Sequence, residues 1–130
     1  MQENTFAAAG RLMMAALFIL SGISKITAPA MTIGYIASAG LPFPALGYII
    51  ALAVEIGGGL LLIVGFQTKI TAAVMGTFTL AAALVFHNDF ADQNQMIHFL
   101  KNVALAGGLW QVVAFGAGRF SLDARRTATN

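Results

Sequence analysis

The sequence predicts an all-α transmembrane four-helix bundle, with both termini cytoplasmic and a short interfacial helix in the first outer loop. Three observations predict it. The 130-residue chain is 58% hydrophobic and only 9% charged. A soluble domain carries about 25% charged residues, so this chain lacks the polar side chains to cover a soluble surface. Four apolar runs, Phe6–Ile26, Leu46–Val64, Ile70–Phe86 and Ile97–Phe115, fill most of it. Each approaches the ~20 residues that cross ~30 Å of hydrocarbon. The links between runs are short, so residues 1–130 are read as one integral membrane domain without repeats.

The first run starts after Met1-Gln2-Glu3-Asn4, which lacks the basic segment of a signal peptide, and is read as a retained span. Pro29 ends or bends it, having no amide proton and restricting the residue before it. Met31–Ser38 is read as a short helix lying at the interface. Gly40-Leu41-Pro42-Phe43-Pro44 is the turn feeding the second span. Within that span, Gly57-Gly58-Gly59 either packs helices closely or leaves room for a ligand beside Glu55. Gly65–Lys69 turns the chain into the third span. The loop His87–Met96 is polar. In the fourth span, Ala104, Gly107 and Gly108 suit close helix packing.

Charge sets the orientation. Arg11, Lys69, Arg119, Arg125 and Arg126 fall on one side of a four-span path, Lys25 and Lys101 near the other. Cytoplasmic loops carry the excess of Lys and Arg, so the first side is cytoplasmic. The net charge of +2 without a basic, aromatic-interleaved stripe excludes nucleic-acid binding. With no cysteine, disulfides, thiolate zinc and a dithiol redox centre are excluded. His87 and His98 flank one surface loop and do not face each other as haem ligands must. With Asp89 and Asp92 they match no zinc spacing, so no metal site is expected. No phosphate loop, dinucleotide fingerprint or nucleophile elbow is present.

An ionisable group inside a membrane costs about 2.5–3.5 kcal/mol when it faces lipid, so it usually faces inward and marks function. Glu55 is the most informative residue by this test. It lies roughly 13 Å below the start of its span at 1.5 Å per residue. Helical side chains lean toward their own N-terminus. Lys25 therefore leans into the membrane and Glu55 toward the outer face. Ser21 lies one turn from Lys25 on the same helix face. A closed bundle would bring Ser21, Lys25, Glu55, His87 and Asn102 to one cavity. Glu55 is the candidate catalytic carboxyl, handling a proton; Ser21, Lys25, His87 and Asn102 are candidate ligand contacts. The other readings are a structural Lys25–Glu55 ion pair, Lys25 bent to the outer interface, Asn102 as interhelical glue and His87 as a solvated helix end. Arg11 is read as an interfacial anchor, and Lys101 as a snorkelling residue leaning outward.

These motifs resemble the DoxX family of small four-span membrane proteins. The resemblance runs in order through Arg11, Phe18–Lys25, Gly40-Leu41-Pro42, Glu55–Leu60, Gly65–Lys69, His87–Phe90, Lys101-Asn102, Gly107-Gly108 and Gly116–Asp123. Lys69 stands where relatives often have Arg. The resemblance implies a bundle in the bacterial cytoplasmic (inner) membrane. Some relatives belong to thiosulfate:quinone oxidoreductases, and others are linked to complexes that handle thiol and oxidative stress. It thus implies a membrane subunit of a redox system. That subunit binds a quinone-like molecule near Lys25, Glu55, His87 and Asn102, and takes electrons from a soluble redox partner. No cofactor is intrinsic to the chain. The alternative is a non-enzymatic small-solute transporter or membrane scaffold. A transporter of four short spans would require a homodimer.

Overall fold

The computed structural model describes all 130 residues, and every regular element is a helix. α1 (Gln2–Thr27) ends at Ala28, and α2 (Pro29–Ser38) starts at once with Pro29 in its first turn. Proline suits that position because the amide it lacks would have no intrahelical partner. Gly40, at φ +83°, makes the turn that follows. α3 (Pro44–Val64) again opens on proline. It ends at Gly65, whose left-handed φ of +69° closes the helix with a bond from its amide to the Leu61 carbonyl. α4 (Thr68–Phe86) and α5 (Gln93–Phe115) form a hairpin. The Asp92 carboxylate caps α5 by accepting from the Asn94 and Gln95 amides. A short α6 (Leu122–Ala128) is capped by Ser121.

Each helix starts earlier than the apolar run that signals it, because polar first turns belong to a helix without belonging to its apolar stretch. Two features had no counterpart in the sequence reading. α6 is one. The other is a π-helical segment, Ala53–Gly58, in the middle of α3.

The helices pack in the order α1–α3–α4–α5, with α2 against the start of α3. Ala15, Phe18, Leu62, Ala72, Met75 and Leu109 form the core that joins all four. Outward faces are apolar and exposed, as at Phe6, Leu20, Ile70, Leu84 and Phe115. α1, α3 and α4 are long and apolar enough to cross a membrane. α5 is long enough at 23 residues, but its first three turns carry Gln93, Asn94, Gln95, His98, Lys101 and Asn102.

Arg11 corrects the sequence reading. It is no interfacial anchor; it is 2% exposed. Its guanidinium donates to four backbone carbonyls: Leu62 at 2.7 Å, Ile63 at 3.1 Å, Ala117 at 3.0 Å and Phe120 at 2.6 Å. The reason is local. The last carbonyls of α3 have no intrahelical donor and carry the negative end of the helix dipole. The chain after α5 brings two more carbonyls to the same spot. A planar cation with five N–H groups answers all of them at once.

Asp123 completes this end. Its two oxygens accept from the Gln67 and Thr68 amides, both at 2.8 Å, at the start of α4. Its own amide donates to Gly65. Burial pushes the Asp123 carboxyl up, but hydrogen bonds from Thr68 and Gln67 and the charge of Arg126 outweigh it and hold the carboxyl below its ordinary value.

Arg11→Met should cost at least about 3 kcal/mol, because it strands several buried carbonyls. Arg11→Lys should recover only part, since one ammonium cannot reach acceptors on both sides. Thermal unfolding in detergent measures this. An unchanged midpoint in Arg11→Met would show that the carbonyl cage does not hold the helix ends.

Candidate functional site

α1 and α3 bring three polar side chains together in the half of the molecule opposite Arg11. Ser21 and Lys25 stand one turn apart on α1, and Glu55 faces them from α3. The Lys25 ammonium donates to Glu55 Oε1 at 2.9 Å and to Ser21 Oγ at 2.9 Å. Ser21 Oγ donates to the same Glu55 oxygen at 3.1 Å. The Lys25 and Glu55 side chains are 27% and 8% exposed, so the carboxylate is the sheltered partner. No protein group donates to the buried Glu55 Oε2.

Glu55 sits inside the π-helical segment. A π turn inserts an extra residue, loosens the helical ladder and often occurs at functional positions. Val54, Ile56 and the glycines at 57–59 are the physical cause, as both types favour a regular α-helix less than Ala or Leu does. Two of those glycines pack tightly. A Cβ on Gly59 would lie 2.7 Å from Ile19 Cγ1, and one on Gly58 would lie 3.0 Å from Met75. Only Gly57 faces open space.

The three polar groups open onto a cavity of about 470 Å³. Ser21, Lys25, Glu55, His87 and Asn102 all line it. The packing supplies the reason. α3 lies between α1 and α4, and α4 carries α5, so side chains from the outer halves of all four converge. Phe18, Ile50, Ala51, Phe78 and Leu105 supply apolar wall. α2 covers it with Thr32, Tyr35 and Ile36, and the Tyr35 ring stacks on Phe86 at 5.4 Å. A smaller hollow of about 270 Å³, lined by Ser38, Asn88 and Asp89, lies beyond that tyrosine and holds no member of the constellation.

The outer rim is less tightly joined. His87 Nδ1 lies 3.0 Å from Gln95 Oε1, and its ring stacks on His98 at 5.0 Å. Asn102 Nδ2 donates to the Thr79 carbonyl at a long 3.4 Å. Lys101 also lines the cavity, which the outward lean of its side chain had hidden. Its only polar neighbour is His98 Nδ1 at 3.3 Å. Arg11 lies at the opposite end, the side on which the sequence placed it, and its burial among carbonyls was missed. The π segment and the Tyr35 cover were also missed. The β-branched and glycine run around Glu55 was the available signal for the first.

Apolar helices around a sheltered Lys–Glu pair define a small helical membrane protein, and comparison with known proteins gives its family. The DoxX family matches residues 6–88. Inner membrane protein YqjF of Escherichia coli (strain K12) is 37% identical over 123 residues, covering 93% of this chain and 92% of that protein. Inner membrane protein YphA of the same strain is 35% identical over 121 residues, covering 88% and 86%. No solved structure matches. The chain belongs to the DoxX family, and it is a multi-pass inner-membrane protein.

The ion pair makes an asymmetric prediction. Lys25→Met leaves a buried carboxylate unpaired and should cost on the order of 3–5 kcal/mol. Glu55→Gln should cost less, because the longer, more exposed lysine can reach water. The double variant should regain much of the loss. A double-mutant cycle by thermal unfolding measures the coupling, and additive losses would mean that the contact carries no energy.

Proposed function

We propose that this protein is a membrane subunit of a redox system that holds a quinone-like, lipid-soluble molecule in the cavity between α1 and α5. The observation that carries this reading is a carboxylate, Glu55, lining a largely apolar cavity, with one buried oxygen to which no protein group donates. A volume of about 470 Å³ lies within the range of small-molecule sites. The donor set suits a ring bearing two carbonyl oxygens. Lys25 and His87 stand on different helices; Lys25 can donate to one oxygen, and His87 to the other once its Nδ1–H turns from Gln95 Oε1. Glu55 holds or releases the proton at the cavity wall. The apolar wall excludes water from the ring and strengthens those hydrogen bonds. A quinone supplies reversible two-electron, two-proton chemistry when bound. The electrons come from a soluble redox partner, as the chain has no metal-ligand cluster or cysteine of its own.

The same reading takes α5 as a fourth span. Its polar Lys101 and Asn102 line the cavity, while Ile97, Leu100, Val103, Trp110 and Phe115 are exposed on its apolar side. Two of the polar residues that lower its hydropathy thus border the cavity, where a membrane helix keeps such groups. Both termini then lie on the cytoplasmic side with Lys69, Arg119, Arg125 and Arg126, and α2 lies at the outer interface.

The ligand is tested by native mass spectrometry of the protein extracted with its lipids. The wild type should carry a quinone, and Glu55→Gln should retain its reduced quinol form at least about tenfold less, the effect of one lost buried hydrogen bond from a quinol hydroxyl to a charged group. No quinone on the wild type, or equal retention by both, would overturn the proposal.

The topology is tested by cysteine labelling, for which a cysteine-free chain needs no background removal. Ala91→Cys should react with an impermeant maleimide from the periplasmic side, and Thr129→Cys only after lysis. The reverse pattern, or labelling of both on one side, would refute four spans with cytoplasmic termini.

A further inference from the structure

The charges at the cavity do not balance. Lys25 and Lys101 both line it, and Glu55 is the one carboxylate that does. Lys25 is already paired with Glu55. Lys101 has no acidic partner, since Lys25–Glu55 is the only ion pair in the molecule. The other titratable groups nearby do not compensate. His87 and His98 add no negative charge, and Asp89 and Asp92 are exposed in the loop and do not line the cavity. The rim is thus left with one cation in excess.

The second observation concerns the wall. α1 packs on α3, α3 on α4 and α4 on α5, but α1 and α5 form no extensive seam. They approach where Gly108 packs against the Met14 sulfur. Beyond that point toward the outer end, Leu17, Ser21 and Lys25 on one side and Leu105, Asn102 and Lys101 on the other all line the cavity. The bundle is therefore closed beside Gly108, whereas nearer Glu55 the two helices face each other across the cavity that they line. Leu20 and Leu100, on the same two helices, are exposed apolar residues. Over the top, α2 and the Tyr35–Phe86 stack limit direct access from water.

We infer that the cavity selects an acidic amphiphile: an apolar body that arrives from the lipid between α1 and α5, carrying one ionised acid that Lys101 receives at the rim. The inference rests on the ligand reading above and narrows it. Lys25 and Glu55 meet the neutral polar atoms deep in the cavity. Lys101 pairs with the anion at the cavity rim, an attraction that solvent only partly screens. Two sources share this chemistry, an acidic hydroxyquinone and a fatty acid.

The test is affinity, measured on the purified full chain in nanodiscs of neutral lipid. Three probes are compared: a 2-hydroxy-3-alkyl-1,4-naphthoquinone, ionised at neutral pH, its uncharged 2-methoxy ether, and a fatty acid of similar length. The hydroxyquinone should bind about tenfold more tightly than the ether, as expected for one partly screened charge pair. Lys101→Gln should reduce that preference to about twofold or less, while Lys101→Arg should keep it. Lys101 is exposed, so neither variant threatens folding. Equal binding of hydroxyquinone and ether, or a preference that survives Lys101→Gln, overturns the acidic-head inference and leaves a quinone site standing. Lys101-dependent binding of the fatty acid with neither quinone bound supports the acidic head and overturns the quinone reading. If no probe binds, both are overturned.

Discussion

A carboxylate placed halfway along an apolar helix dictates much of what surrounds it. Left facing hydrocarbon, it would cost several kcal/mol. The structure answers with an ammonium and a hydroxyl from a single neighbouring helix, all converging on one Glu55 oxygen. That answer fixes the rotation of α1 against α3, because Ser21 and Lys25 share a face and must point at Glu55. It also brings α1 close enough that Gly22 and Gly59 become necessary at the contact, where any side chain would strike Ile56 or Ile19. The polar contact and the small-residue packing are two consequences of one helix orientation.

The two ends of the bundle are built differently. At the Arg11 end, a buried guanidinium gathers the carbonyls that close α3 and follow α5, and Asp123 caps the start of α4. Three chain segments far apart in sequence are thereby tied through backbone atoms. Any side-chain change elsewhere leaves those acceptors in place. At the Glu55 end the ties are made by side chains, and several are long or exposed, as from Asn102 to the Thr79 carbonyl and from Tyr35 to the Phe86 carbonyl. Such contacts open at lower cost than a packed backbone network. An inner half held by Arg11 lets the outer half keep a cavity without loss of the fold.

The helices were legible in the sequence because lipid imposes a simple length and polarity rule, and proline and glycine mark the turns. Glu55, Lys25 and Ser21 were legible because a one-turn spacing and a known side-chain lean suffice to place them. Arg11 was not, since its partners are carbonyls, which every residue carries and no motif announces. The fourth helix reads weakly for a related reason. Lys101 and Asn102 lower its hydropathy, and only the packing shows that they border the cavity. The π segment left a trace in Val54-Glu55-Ile56-Gly57, but β-branched residues and glycines also occur in ordinary membrane helices. His87 could be placed at the end of a span, whereas its stacking on His98 depends on how the α4–α5 loop closes.

Stability alone does not account for the buried pair. A lysine and a carboxylate taken from water lose hydration that their attraction only partly restores, and well-packed apolar residues of the same volume often hold a fold as well or better. The adjacent core makes the point locally: Ala15, Phe18 and Leu62 join the same two helices without any charge. What an apolar replacement could not supply is a polar surface inside an apolar cavity. The geometry is arranged accordingly. Both donors crowd onto Glu55 Oε1, while Oε2 remains without one. A pair built only to neutralise itself would gain most from using both oxygens. This one satisfies one carboxylate oxygen within the protein and leaves the other without a protein donor.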